Sequence, residues 1–384
     1  MTRMSPSSAI SNDDTTPTNT DVSGVASEQL NGPRSVVHLG TIAANYRALC
    51  DLCSTSETGA VVKADAYGHG AAEVAAKLAA EGCETFFIAY PREGEAVRIA
   101  VGPDKRIFVF HGLTNDSPEL IIQHDLMPIC NRVEEVKLWL EAHPDRPYGL
   151  HFDTGINRLG LRLSDLAEVK GLTSGTPPVL VMSHLACADQ PEHAMNAQQL
   201  QKFREVVAAF PESKASLSAT AASYLGPDYH FDLIRPGIAL YGGGPARPPE
   251  LRLKPAMSVT APILNVFSIE AGEHTGYGAT FEAKYPMTLA TVSLGYADGY
   301  LRSASNYGFG MHEGGPCPIV GRVSMDLMTV DVTDLPEPPA IGSHIEFIGP
   351  KAGLEIQAEA LGTIGYELTS RLGGRISREW QDED

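Results

Sequence analysis

From Val36 to about residue 255, short apolar runs alternate with amphipathic stretches, and this alternation is what most limits the fold. It is the pattern of a parallel sheet whose strands are joined by crossover helices. The segments 58–63, 84–89, 106–111, 126–130, 147–153, 178–184, 214–219 and 231–240 read as strands. Between them lie helical segments such as Ala71–Glu81, whose Val74, Leu78 and Ala79 fall at helical spacing, and Asn196–Phe210. About eight such units close a barrel, so the expected fold is α/β, a (β/α)8 TIM-type barrel. Chemistry in that fold sits at the carboxyl ends of the strands. Lys63, His111, His151, Asp153, His184 and Arg235 occupy those ends.

After about residue 255 the sequence turns to β-rich runs separated by Gly/Pro-rich turns, with little helix before the last 30 residues. The expected organisation is a disordered N-terminal tail over 1–33, the barrel over 34–255 and a mainly β C-terminal domain over 256–384. A chain of 384 residues suits two domains better than one. No apolar run approaches the roughly 20 residues of a membrane span. The formal charge of −18 comes with no Lys/Arg cluster, which argues against a nucleic-acid partner. The six cysteines form no regular framework, and residues 1–33 lack the apolar core of a signal peptide, so a cytoplasmic protein with reduced thiols is expected. Cys50 and Cys53 form a C-x-x-C, but no second pair completes a metal site, and they read as helix cysteines.

The richest segment is Ala60-Val-Val-Lys-Ala-Asp-Ala-Tyr-Gly-His-Gly70. An apolar strand ends in Lys63, and a Gly-punctuated turn leads to a helix near Ala71. A lysine in that place is poorly solvated, which lowers its pKa and frees its amine for Schiff-base chemistry. It can equally snorkel from a barrel mouth, and spacing alone does not separate the two.

This segment resembles the alanine racemases, pyridoxal-phosphate enzymes that pair a (β/α)8 barrel with a β-domain. FDTGINRLG (152–160), SHLACAD (183–189), DLIRPGIALYGG (232–243), GYGATF (276–281), GYADGY (295–300) and GRVSMDLMTVDVT (321–333) are similar to the family's signatures, in the family's order, from about residue 35 onward. The resemblance implies pyridoxal 5'-phosphate as cofactor, carried by Lys63, and interconversion of L- and D-alanine that supplies D-alanine for peptidoglycan. Racemisation needs an electron sink and two acid/base groups on opposite faces of the α-carbon. The resemblance assigns Lys63 to the D-enantiomer and Tyr277 to the L-enantiomer. It places His184 beside Tyr277 with Arg235 behind it, and Arg235 on the pyridine nitrogen, which the permanent guanidinium charge leaves unprotonated. Related decarboxylases are understood to place a carboxylate there instead.

Tyr67, Thr220, Gly237, Ile238 and Tyr366 match the family's phosphate-binding positions. Arg158 matches the group for the substrate carboxylate and the cofactor's phenolic oxygen, a bidentate task suited to guanidinium. Met325 and Asp326, with Tyr277, match residues that the family contributes from the other subunit, implying a homodimer with shared sites. Tyr296 and Arg302, and with them Asp189, match the substrate entrance. One departure stands out. Where the family commonly has a carbamylated lysine that positions the arginine, this chain has His151, which forms no stable carbamate. Arg158 is then left to a chloride, to Asp153 or to another anion. Three other readings compete: a racemase of serine, lysine or arginine; a metal-dependent hydrolase using His111, His151, Asp153 and His184; and a non-catalytic pyridoxal-phosphate-binding protein. The lack of an export signal favours alanine over the broader racemases, no H-x-H pair supports a metal, and the tyrosine-bearing β-domain argues against the binding protein.

Overall fold

The computed structural model describes residues 32–113 and 117–382. The expected tail lies almost wholly outside them. The expected strands are present as Ala60–Val61, Thr85–Ile88, Arg106–Val109, Met127–Cys130, Gly149–His151, Leu180–Met182 and Lys214–Ser216, paired in parallel in that order. Leu233–Ile234 pairs in parallel with Glu57–Thr58, which continues into Ala60–Val61. The bridge Ala219↔Arg235 joins this last strand to the end of the one before it, so the sheet closes on itself as a barrel. Phe86, Phe87, Ile88, Phe108 and Val109 are fully or almost fully buried. Strands covered on both sides need apolar residues at every position, which is why these segments read as continuous runs rather than alternations.

The helix Ala71–Ala80 turns Val74, Ala75 and Leu78 inward, as its spacing predicts. Ala194–Ala209 matches the other expected helix to within two residues. Cys50 and Cys53 are free thiols near the end of the helix Leu39–Leu52, with Cys53 buried.

The second sheet is built on the long strand Met257–Ile269, which pairs antiparallel with Arg34–His38, Met287–Val292 and His344–Ile348. Ser377–Gln381 lies parallel to Arg34–His38. Arg34–His38 pairs in the β-sheet, and the barrel's own strands begin at Glu57. Its burial alternates, whereas the barrel strand Thr85–Ile88 is buried throughout. The first and last described strands thus clamp the two units together, and one apolar core runs through both. Among the described residues, no helix is long and apolar enough to cross a membrane.

Candidate active site

A cavity of about 1380 Å³ opens at the carboxyl ends of the barrel strands. Lys63, Tyr67, His151, Arg158, His184, Thr220, Arg235, Gly237, Ile238 and Tyr366 line it, as do His111 and Asp189. Residues from seven separate sequence segments therefore meet where the barrel rule places chemistry.

Lys63 is held by an unusual turn. Ala64, Asp65, Ala66 and Tyr67 all adopt left-handed backbone angles, with φ between 52° and 54°. Each such residue costs about 1–2 kcal/mol, so the turn stands several kcal/mol above an ordinary one and depends on its surroundings. Glu93 Oε1 accepts from Ala64 N at 2.8 Å, and Asp65 Oδ1 accepts from Ala71 N at 2.8 Å. Arg378 pairs with Asp65 at 2.6 Å, and Trp380 Nε1 donates to His69 O at 2.8 Å. Gly68 is required here, because a Cβ would lie 2.1 Å from Thr369 O. The C-terminal segment thereby fixes the direction of Lys63. The amine lies 5.8 Å from the Phe110 ring centroid, and burial, reinforced by the Arg158 charge, lowers its pKa.

Arg235 is a buried cation with no ion pair to a carboxylate among the described residues. Its guanidinium donates to Ser216 O at 2.8 Å, to Ser183 O at 2.7 Å, to Leu217 O at 3.4 Å and to Ser216 Oγ. Burial brings its pKa down to about 9, so it stays charged at neutral pH. Burial and the Arg235 and Arg158 charges hold His184 at about 3, and burial with Arg235 holds His151 at about 4. Both imidazoles are neutral in the folded protein. On the far wall, Thr220 Oγ1 accepts from Gly237 N at 3.0 Å, and a Cβ on Gly237 would lie 2.3 Å from the Tyr67 hydroxyl. Tyr67 packs between Tyr241 and Tyr366, with ring centroids 5.1 and 6.0 Å away. Hydroxyls, a backbone approach only glycine permits and an uncompensated buried cation suit an anionic, aromatic ligand.

The remaining expected residues form a second group. Tyr277 is 74% exposed, Met325 53% and Tyr296 40%, and neither these nor Asp326 line the cavity. The Tyr296 and Met325 segments touch through Tyr296 N to Ser324 O at 3.1 Å and Ala297 N to Met325 O at 2.9 Å. Asp326 pairs with Arg375 at 2.7 Å. Within one chain, His184 therefore does not adjoin Tyr277 in the cavity. Asp153 is also corrected as a partner for Arg158: its Oδ1 accepts from Gly155 N and Asn157 N, and its Oδ2 pairs with Arg162 at 3.0 Å. The turn 153–157 takes one of its oxygens and Arg162 the other. Among the described residues, no group of three or more His, Cys, Asp or Glu side chains is placed to hold a metal ion.

Sequence reasoning missed Glu93, Asn131, Arg378 and Trp380. Asn131 follows the strand Met127–Cys130 and was findable by the strand-end rule. The other three act through distant pairings that no local pattern marks.

The family descriptions "Alanine racemase, N-terminal domain" and "Alanine racemase, C-terminal domain" match residues 37–245 and 256–380. The alanine racemase of Cereibacter sphaeroides is 44% identical over 90% of this chain and 97% of its own length. The chain belongs to the alanine racemase family. A biosynthetic alanine racemase of Agrobacterium fabrum is 41% identical over 90% of this chain and 93% of its own. In structure, the chain superposes on the alanine racemase of Bartonella henselae, solved with covalently bound pyridoxal phosphate. That match has a TM-score of 0.87 at 35% identity and covers 91% of this chain and 99% of the other. The family's architecture, parallel barrel followed by a mainly β domain, is the one described above.

Proposed function

We propose that this chain interconverts L-alanine and D-alanine with pyridoxal 5'-phosphate held on Lys63, as a cytoplasmic homodimer supplying D-alanine for peptidoglycan. One observation carries the reading: among the described residues Lys63 is the one lysine lining the cavity, set on a left-handed turn and sharing that cavity with Arg158, Arg235, Tyr67, Thr220 and Gly237. The relatives named alanine racemase support alanine over serine, lysine or arginine.

When bound, pyridoxal phosphate supplies an electron sink for the substrate's α-carbon. The residues have these roles. Tyr67, Thr220, Gly237, Ile238 and Tyr366 would hold its phosphate at the glycine-backed wall. Arg235 would face the ring nitrogen and, by keeping its own proton, would leave that nitrogen uncharged, which would limit side reactions. Arg158 takes the substrate carboxylate. The Lys63 amine, with its proton affinity lowered by burial, takes or returns a proton at one face of the α-carbon. Tyr277 does so at the other face, reaching the cavity from a second copy of the chain together with Met325 and Asp326. Tyr296, Arg302 and Asp189 border the entrance. The domain assignment accompanying this reading is a barrel ending near residue 255 and a β-domain from 256 that completes the other subunit's site.

Complementation tests the shared site. Lys63→Ala and Tyr277→Phe are each expected to be inactive or severely impaired homodimers. Co-refolded, they regain activity, because a mixed dimer has one site with both bases intact. No recovery in demonstrably mixed dimers would contradict the assignment.

A further inference from the structure

His151 ends the strand Gly149–His151 at the cavity wall, and its surroundings fix which of its nitrogens bears hydrogen. Asn131 Nδ2 donates to Phe110 O at 3.0 Å and to Ile129 O at 2.8 Å, which uses both amide hydrogens. Asn131 Oδ1 therefore faces His151 Nδ1, 2.9 Å away, and can only accept. Asn131 is itself anchored by its backbone N, which donates to Glu135 Oε2 at 2.8 Å. The imidazole is thus the Nδ1–H tautomer, and Nε2 carries a lone pair. That nitrogen is buried with no hydrogen-bond partner, in a residue only 7% exposed that lines the cavity.

A buried acceptor without a donor is costly, by about 1–3 kcal/mol, and among the buried atoms left without a partner this one belongs to a residue that lines the cavity. The neighbouring cations are Arg235 and Arg158. Four of the five Arg235 N–H groups are committed to Ser183, Ser216 and Leu217, and the fifth is the one assigned above to the ring nitrogen. Arg158 has no hydrogen bond or ion pair among the described residues, and Asp153 is committed to Arg162 and its own turn. A chloride beside Nε2 would face a lone pair rather than a donor.

We propose that His151 is a positioning residue: Nε2 accepts a hydrogen bond from the Arg158 guanidinium when a substrate carboxylate is bound, holding the arginine with neither carbamate nor chloride. The proposal rests on the role of Arg158 given above. It makes this site independent of dissolved carbon dioxide and of halide, and it ties Arg158 through His151 and Asn131 to the barrel wall.

The test uses the holoenzyme. With ¹⁵N-labelled histidine and His151→Gln for assignment, nuclear magnetic resonance should find Nδ1 protonated and Nε2 bare at neutral pH; a proton on Nε2 would overturn the proposal. Propionate, a carboxylate without the amine, then probes the arginine. Its affinity should fall about tenfold in His151→Leu, as should the KM-side affinity for both alanine enantiomers, with kcat changed less than about threefold, the signature of lost positioning. His151→Gln, which keeps an acceptor near Nε2, should restore propionate binding to within about threefold. Equal propionate affinity in wild type and His151→Leu, or affinity that depends on chloride or bicarbonate, would overturn it. Failure of the chain to racemise alanine would instead refute the proposed function, and the tautomer result would still stand or fall by itself.

Discussion

Trp380→Phe isolates one anchor of the Lys63 turn. The substitution keeps an aromatic ring on the last strand but removes the N–H that Trp380 donates to His69 O at 2.8 Å. Residue His69 is buried, so its carbonyl is left without that donor. Losing the bond and leaving the acceptor short costs about 1–2 kcal/mol. Because the turn already carries four left-handed residues, the loss acts on the local opening equilibrium rather than on the whole fold. The open population should rise about 5- to 30-fold. Amide exchange followed by mass spectrometry reads this directly. Ala66, His69 and Gly70 donate to Val62 O, Ala66 O and Asp65 O, and these amides should exchange faster by that factor, while the barrel strand Thr85–Ile88 is unchanged. Unchanged exchange over 63–70 would refute the idea that the C-terminal strand holds the turn.

Gly237→Ala should leave the protein folded but weaken retention of pyridoxal phosphate by at least about tenfold in equilibrium dialysis, since the added methyl meets the Tyr67 hydroxyl at 2.3 Å. Arg235→Leu should lower unfolding free energy by about 3 kcal/mol or more in urea, because carbonyls of Ser183 and Ser216 lose a charged donor; an unchanged midpoint would contradict this. His69 and His151, held at about 4, and His184, at about 3, are neutral when folded and gain protons below about pH 6.5 when unfolded. Their contribution is full above about pH 6.5 and is lost as pH falls toward 4, each at up to about 1.4 kcal/mol per pH unit. Urea midpoints should therefore drop between pH 7 and pH 5, and less so in His69→Gln.

The barrel was legible because its strands are buried on both sides and so mark themselves as apolar runs. Lys63, His151, His184 and Arg235 were legible because strand ends in a barrel converge, and the cavity gathers all four. What stayed hidden depends on pairings between distant segments. Arg34–His38 reads locally like the start of the barrel, yet its partners are Met257–Ile269 and Ser377–Gln381. No pattern around Ala64–Tyr67 announces four left-handed residues, because Glu93, Thr369, Arg378 and Trp380 impose that conformation from elsewhere. Asp153 looked available to Arg158, but its own turn and Arg162 take its oxygens.

The most direct measurement is turnover of L-alanine in deuterated water by the holoenzyme, resolved by chiral chromatography with mass detection. D-alanine should form carrying deuterium at the α-carbon, and Lys63→Ala should form none. Absence of D-alanine from the wild-type reaction, or undiminished formation by Lys63→Ala, would contradict the account.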